Sequence, residues 1–194
     1  VREAFIKLSE AGLLEIRPSR GTYVRKISVR EVADARFVRE AIECSLVRHA
    51  AISATDEHIR QLRVLIDEQE AAARNDDFAS FNRSDDAFHR AIASIVNCNY
   101  ARRTVEGARN QIDRVRFLSL DKATPLSRLI QQHREIAASI EARDQDRAER
   151  AMQTHLREVL LALPHIARAN PDAFEDQIMP DHAVRLVATT PPEN

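Results

Sequence analysis

Apolar residues recur every three or four positions along most of the chain, which is the spacing of one face of an α-helix. Between residues 28 and 170 the pattern breaks only at short polar segments. Ser28 with Glu31, and Thr55 followed by acidic residues, are typical helix starts. The apolar spacing predicts six helices, over residues 29–53, 56–75, 78–96, 100–120, 125–143 and 147–170. Six helices joined by short loops predict an antiparallel bundle, and therefore an all-α fold.

The first 27 residues have a different pattern. A short amphipathic helix over Val1–Ala11 ends at Gly12, and two β-type runs, Leu13–Arg17 and Thr22–Lys26, flank the turn formed by residues 18–21. This order is typical of the second half of a winged helix-turn-helix. Basic residues are concentrated in the segment: Arg2, Lys7, Arg17, Arg20, Arg25 and Lys26. Two interpretations remain open, because the segment either binds DNA or only packs against the rest of the chain.

The patterning divides the chain into three parts. Residues 1–27 form a partial winged helix-turn-helix domain, and residues 28–170 form the helical domain. Residues 171–194 carry no sustained pattern and are expected to form an irregular tail, with helical spacing only near Ala183–Val187. The chain begins inside a predicted helix, so we expect an N-terminal segment to be missing.

Composition and charge support a helical protein, and they argue against a chain that is basic overall or that spans a membrane. The chain has 44% hydrophobic residues, 5% aromatics and only 3 glycines, which favours helices around a real core. The net charge of −1 gives no overall basic signal, so nucleic-acid binding would need a local patch. Cys44 and Cys98 are expected to be reduced core thiols in a cytoplasmic protein. No apolar run is long enough for a membrane span.

Four polar residues fall on faces that are otherwise apolar. Asp85 and His89 share a face of the third predicted bundle helix with Phe81, Phe88 and Ile92, and they lie one turn apart. The other two, His133 and His155, interrupt the apolar stripes of the last two bundle helices. A buried carboxylate is costly unless a charge or hydrogen bonds compensate it. One Asp and three His pointing into one core therefore predict a site for a divalent cation, with Zn²⁺ favoured over Ni²⁺ or Mn²⁺.

Each of these residues also has an ordinary structural explanation. A single His on an apolar face is usually a hydrogen-bonded core residue, and Asp85 alone could pair with a neighbouring Arg. The convergence of four such residues from three helices is what favours a metal site. Asp86 is rotated about 100° around the helix from Asp85 and is expected to be solvated. Arg39 lies one turn from Glu43, and two roles remain open: a structural ion pair, or a guanidinium that binds an anion.

Two groups of residues resemble a known family of regulators. Residues 1–4 (Val-Arg-Glu-Ala), together with Gly12-Leu13 and Arg20-Gly21-Thr22, resemble the end of the winged helix of GntR-superfamily repressors. A second group resembles the all-helical FCD effector domain of the FadR branch: Arg39 with Glu43, Asp85-x-x-Phe88-His89, Asn99, His133 and His155. The resemblance covers about residues 1–168.

The resemblance implies a function for the chain. It implies a homodimeric, DNA-binding transcriptional regulator, expected to be a repressor, in which Asp85, His89, His133 and His155 bind a divalent metal. A small carboxylate or hydroxy acid would coordinate that metal, with Arg39 helping to hold it. The family's operator contacts match a further set of positions: Arg2, Arg20, Gly21 and Thr22.

The resemblance also has limits. The first two helices of the winged helix have no counterpart in the sequence, so we expect weak or absent DNA affinity for this chain on its own. Six bundle helices match the metal-binding subgroup better than the seven-helix type that binds acyl-CoA. Two alternatives to an effector-controlled regulator remain: a metal-dependent enzyme that uses the same residues, and a sensor of the metal itself.

Overall fold

The computed structural model describes residues 1–118 and 124–189, and these form a helical bundle preceded by a helix and a hairpin. The elements are α1 (Arg2–Glu10), β1 (Leu14–Arg17), β2 (Gly21–Val24), α2 (Val29–Ser53), α3 (Asp56–Arg74), α4 (Phe78–Val96), α5 (Asn99–Leu118), α6 (Leu126–Glu141), α7 (Gln145–Ala169) and α8 (Asp181–Thr189). The predicted all-α fold is confirmed, and the six predicted bundle helices are α2 to α7. The predicted end of the fourth bundle helix at residues 119–120, and the residues 121–123 between it and the next predicted helix, lie outside the described residues.

Side-chain caps fix where several bundle helices begin. The Ser28 hydroxyl accepts a hydrogen bond from the Glu31 backbone N–H before α2, and Thr55 caps α3 in the same way. Asp77 caps α4 and Asp144 caps α7. Each cap satisfies a backbone N–H that has no partner inside its helix.

The bundle core has two apolar clusters. Helix α2 packs against α4, α5 and α7, while α3 packs against α4 and α6, and α6 packs against α7. Leu62, Phe88 and Met152 belong to one cluster. The other cluster includes Val32, Ile112 and Leu160. Along α7, Leu156 belongs to the first cluster and Leu160 to the second. His155 directly precedes Leu156 and therefore lies near the boundary between the two clusters.

The predicted basic hairpin is present. Strands β1 and β2 are antiparallel, with Leu14 opposite Val24 and Arg17 opposite Gly21. At the turn Ser19 has φ 59° and Gly21 has φ 109°, and the second value lies in a region that favours glycine. Both strands are largely exposed.

Helix α5 connects this hairpin to the bundle. The Arg114 guanidinium donates to the backbone carbonyls of Arg25 and Lys26, and the Gln111 amide lies 3.5 Å from the Gly12 carbonyl. Arg25 also donates to Glu31 at the start of α2, at 2.9 Å. The segment between the hairpin and the bundle is therefore tied to both α5 and α2.

The segment after α7 is more regular than the expected irregular tail. A one-turn 3₁₀ helix, Pro171–Ala173, leads to a backbone bridge in which the Ile27 N–H donates to Ala173 and the Glu175 N–H donates to Ile27. Phe174 and Ala183 are buried in the second apolar cluster. The helical spacing expected near Ala183–Val187 falls within α8, whereas the short helix at Pro171–Ala173 and the bridge to Ile27 were not expected. Isolated apolar residues of this segment, such as Phe174, pack into the bundle core. Residues 190–194 lie outside the described range.

Two smaller expectations can also be compared with the structure. Cys44 is buried, and burial raises the pKa of its thiol to about 12. Cys98 is exposed, so the expectation of a core thiol is wrong there. Within the described helices, none combines the length and the apolar character that a membrane crossing requires.

Candidate metal centre

The structure brings together the four residues that the sequence singled out. Asp85 and His89 come from α4, His133 from α6 and His155 from α7, and all four side chains are buried. One donor atom from each residue can be chosen so that the four atoms lie within 4.8 Å of one another. Side-chain caps fix where α4 and α7 begin, and the apolar stripe of each of the three helices turns its polar side chains inward.

The separations between the donor atoms suit a metal ion. The Nε2 atom of His155 lies 3.2 Å from the Nε2 atoms of both His89 and His133. The Oδ1 atom of Asp85 lies 3.5 Å from Nε2 of His133. Zn–N bonds of roughly 2.0–2.1 Å around a tetrahedral ion imply ligand separations of roughly 3.3–3.4 Å. These three separations are therefore close to those of neighbouring ligands around one ion, and all four donor atoms lie within 4.8 Å of one another.

Hydrogen bonds on the outer side of each ring determine which nitrogen carries the proton. Nδ1 of His89 faces a carboxylate oxygen of Glu43 at 2.5 Å. Nδ1 of His133 faces the amide oxygen of Gln69 at 2.7 Å. The third ring, His155, has its Nδ1 3.1 Å from the amide oxygen of Gln132. Because oxygen is the acceptor in all three contacts, each ring donates from Nδ1 and keeps a lone pair on Nε2.

Three lone pairs therefore point at the same small volume. Nε2 atoms that are only 3.2 Å apart and carry no proton repel one another unless a cation lies among them. Burial lowers the pKa of His133 to about 3 and that of His155 well below its usual value. These two rings are therefore neutral near pH 7 and available as ligands. The donor set fits a divalent ion on chemistry as well as on distance.

Asp85 is held as a carboxylate by two arginines of α5. Its Oδ2 accepts from Arg109 at 2.7 Å and from Arg116 at 2.6 Å. Burial alone would raise the pKa of Asp85, but the two guanidinium groups reverse that effect and the pKa lies well below its usual value. Its other oxygen, Oδ1, is buried and has no hydrogen-bond partner among the described residues. The unpaired oxygen is the one that faces His133.

Arg39 is connected to the same cluster. Its Nε donates to Oε1 of Glu43 at 2.5 Å, and Oε2 of Glu43 accepts from His89. The expected Arg39–Glu43 pair is therefore present. Burial raises the pKa of Glu43, but Arg39 and His89 outweigh it, so the net shift is downward. The Nη2 group of Arg39 is buried without a partner in the described part of the chain.

A cavity of about 60 Å³ lies beside the cluster. Its polar lining includes Arg39, Arg116, His155 and Glu158. The remaining walls are largely apolar, with Phe78, Phe81, Ile112, Val115, Leu126, Leu129, Leu156, Val159, Ala162 and Ile166. The cavity therefore combines guanidinium groups and an imidazole with an apolar enclosure, as sites for small organic anions do.

Sequence reasoning missed several residues of this centre. Arg109 and Arg116 lie seven residues apart on α5, in the inward stripe that also contains Ile112. That spacing was the available signal, since an Arg in an apolar stripe usually has a buried acidic partner. Asp86 is also corrected: it is half-buried and contacts the Arg109 guanidinium instead of being solvated.

The predicted DNA-contacting residues lie elsewhere in the molecule. Arg2 is at the start of α1, Arg20 and Gly21 are at the tip of the hairpin, and Thr22 is on β2. All four are exposed. The structure does not bring them to the buried cluster, so the two groups of predicted residues lie in separate parts of the molecule.

Comparison with known proteins gives consistent matches. Residues 34–158 match the model of the FCD domain family. The HTH-type transcriptional repressor RspR of Escherichia coli K12 is 40% identical over 177 residues, which cover 91% of this chain and 78% of RspR. The HTH-type transcriptional repressor NanR of Cronobacter sakazakii is 34% identical over 185 residues, which cover 82% of this chain and 68% of NanR.

Solved structures share the fold. McbR/YncC of E. coli matches with a TM-score of 0.74 at 18% identity, over 81% of this chain and 80% of that chain. A GntR-family regulator from Pseudomonas syringae pv. tomato matches with a TM-score of 0.62 at 20% identity, over 88% of this chain and 72% of its own. At these identities the likeness extends to the fold and no further.

Proposed function

The chain belongs to the GntR-family transcriptional regulators that carry an FCD domain, and from this membership we propose that its bundle senses a small organic acid through a bound divalent metal. Acid binding would change the affinity of the protein for operator DNA. The observation that carries the proposal is that donor atoms of Asp85 and the three histidines lie buried within 4.8 Å of one another, with Oδ1 of Asp85 lacking a hydrogen-bond partner among the described residues. The named relatives are transcriptional regulators and not enzymes, which removes the enzyme alternative.

The donor set favours a particular group of metals. Three imidazole nitrogens and one carboxylate oxygen suit Zn²⁺ first, with Ni²⁺ or Mn²⁺ as alternatives. The hydrogen bonds to Nδ1 keep each ring in the tautomer that coordinates through Nε2. When bound, the ion would supply a centre of positive charge that an anionic ligand can coordinate.

The charges around the cavity favour an anion as effector. A divalent ion with three neutral His and one Asp leaves a net positive charge, and Arg39 and Arg116 also line the cavity. The partnerless Nη2 of Arg39 provides a donor for an oxygen of the ligand. A small carboxylate or hydroxy acid would satisfy both the metal and this buried donor, which otherwise has no hydrogen bond.

Helix α5 offers a physical route from the cavity to the DNA-binding part. Arg109 and Arg116 bind the Asp85 carboxylate, and Gln111 and Arg114 of the same helix contact the segment around the hairpin. A ligand that shifts Asp85 or Arg116 would therefore act on a rigid element that also holds the hairpin. Such a shift requires that the ligand bind one arrangement of the protein better than another.

We further infer that the protein works as a homodimer on DNA. A winged helix normally reads one half-site, and two-fold operators are matched by two-fold proteins. Helix α5 is our candidate for part of the dimer interface. RspR and NanR are named as transcriptional repressors. We infer that this chain likewise represses transcription and that the acid relieves the repression.

Calorimetry with and without metal tests the proposal. Small hydroxy acids and dicarboxylates are titrated into protein loaded with Zn²⁺ and into the same protein after chelator treatment. We expect binding only to the loaded form and no consumption of the acid over hours. Binding that is equal in the two forms would contradict a metal-held effector. A response to the metal alone, with no acid binding, would make the protein a metal sensor.

A further inference from the structure

Glu158 is a buried acidic residue on the wall of the effector cavity, and it is not one of the predicted metal ligands. It lies three residues after His155 on α7, so both side chains project from nearby positions on that helix. Only 7% of its surface is exposed. A buried carboxylate at this place needs an explanation, because burial of a charge is unfavourable without partners.

The partners of Glu158 hold it in one orientation. Its Oε2 atom accepts from Nε of Arg128 at 3.0 Å and from the amide of Gln132 at 3.0 Å. The carbonyl oxygen of Gln132 in turn accepts from Nδ1 of His155. Glu158 is thus joined to a predicted metal ligand through a single amide. Both of its hydrogen bonds from Arg128 and Gln132 end on the same oxygen, Oε2.

The cavity consequently has charge of both signs on its walls. Arg39 and Arg116 place positive charge on one part of the lining, to which a bound metal would add, and Glu158 places negative charge on another part. An acid that enters with one carboxylate toward the metal and Arg39 presents its remaining groups to the other walls. A hydroxyl on that far end can donate to Glu158, whereas a second carboxylate there is repelled by it.

We propose that Glu158 is a specificity residue that selects hydroxy monocarboxylates and excludes dicarboxylates. Its Oε1 atom accepts the hydroxyl of the ligand, and its negative charge raises the free energy of any complex with a second carboxylate. The proposal rests on the effector site proposed above. It narrows the effector from any small carboxylate or hydroxy acid to the hydroxylated monocarboxylic acids.

The size of the cavity narrows the ligand further. A buried water needs roughly 10–15 Å³ of such space, so a cavity of about 60 Å³ accommodates about four to six non-hydrogen atoms. This is the scale of a three-carbon acid with one oxygen already at the metal. Glycerate and tartronate are a suitable pair, because they differ only in the exchange of a CH₂OH group for a carboxylate.

The test is calorimetric titration of both acids into Zn²⁺-loaded protein, with the metal content measured before and after each titration. We expect glycerate to bind at least about ten-fold more tightly than tartronate. This is a demanding expectation, since a bare divalent ion would favour the dianion. Glu158→Gln should reduce the preference to about three-fold or less, mainly by strengthening tartronate binding. Glu158→Asp keeps the charge and should retain the exclusion of tartronate.

A control on the same helix separates charge at the cavity from charge on α7 in general. Glu149→Gln removes a carboxylate that pairs with Arg48 outside the cavity, and it should leave the preference unchanged. Equal binding of the two acids to wild-type protein, or a preference that survives Glu158→Gln, would overturn the role of Glu158 and leave the metal-held effector intact. Absence of binding for every small acid tested would overturn both proposals.

Discussion

Arg39 and His89 are joined through one carboxylate, because Glu43 accepts from Nε of Arg39 with one oxygen and from Nδ1 of His89 with the other. The guanidinium expected to hold the effector and a ring expected to hold the metal are therefore oriented by the same side chain. Any movement of Arg39 toward a ligand changes the environment of Glu43. The structure thus couples the two expected binding events through a single buried acid.

Replacing Arg39 tests its role in holding the acid. Arg39→Ala should weaken acid binding to Zn²⁺-loaded protein by about 1.5–3 kcal/mol, the scale of one hydrogen bond to a charged group. Calorimetry on the loaded variant measures the loss, after thermal unfolding has shown that it is folded. Arg48→Ala, which removes an arginine that pairs outside the cavity, is the control. Undiminished acid affinity in Arg39→Ala would show that this guanidinium does not bind the ligand.

Replacing Glu43 tests the link from Arg39 to His89. In Glu43→Gln, one amide oxygen and one NH₂ group must face two donors, Nε of Arg39 and Nδ1 of His89. One of those contacts becomes a clash of two N–H groups, so the imidazole loses its fixed tautomer. We expect metal affinity to fall about 10–100-fold, as measured by competition with a chelator of known affinity.

Glu40→Gln provides the matched control for that experiment. Glu40 is one turn earlier on α2 and pairs with Arg36 and Arg157, away from the metal cluster. Its replacement should leave metal affinity unchanged within error. A similar loss in both variants would mean that the effect comes from weakening α2 and not from the orientation of His89.

The contacts of α5 with the hairpin segment should carry the effect of the ligand. On addition of metal and acid we expect slower amide hydrogen exchange in residues 12–26. The double variant Gln111→Ala, Arg114→Ala should abolish this slowing while acid affinity stays the same. An unchanged exchange response in the double variant would mean that the signal reaches the hairpin by another route.

The exposed basic residues of the first segment should determine the salt dependence of DNA binding. In a protein that includes a whole winged-helix region, Arg2→Ala and Arg20→Ala should each weaken operator binding and reduce the slope of log affinity against log salt by about one. Fluorescence anisotropy at several salt concentrations gives both quantities. Unchanged affinity and slope in both variants would show that Arg2 and Arg20 do not contact the DNA.

Much of the fold and part of the site were predictable from the sequence because they depend on local patterns. Apolar periodicity and the caps at Ser28, Thr55 and Asp77 locate the bundle helices, and the same periodicity identifies Asp85 and the three histidines as inward-facing. Local patterns do not show which distant residues pair. For this reason Arg109 and Arg116 were missed as partners of Asp85.

Because local patterns do not show which distant residues pair, the packing of the C-terminal segment and the hydrogen-bond partners of the imidazoles were also not predicted. Phe174 is a single apolar residue in a polar stretch, and only its bridge to Ile27 makes it part of the core. Gln69 and Gln132 determine two of the three imidazole tautomers. A glutamine inside a helix gives no sequence signal for this role, because it is equally common on exposed faces.

The most direct test of the account is the metal content of the purified protein, measured by mass spectrometry after exhaustive dialysis with and without added Zn²⁺. The wild-type chain should retain one divalent ion per chain. The double variant His133→Ala, His155→Ala should retain almost none, and His49→Ala, which changes a histidine outside the cluster, should retain the wild-type amount. Equal metal content in the wild type and the double variant would contradict the assignment of the buried cluster as a metal centre.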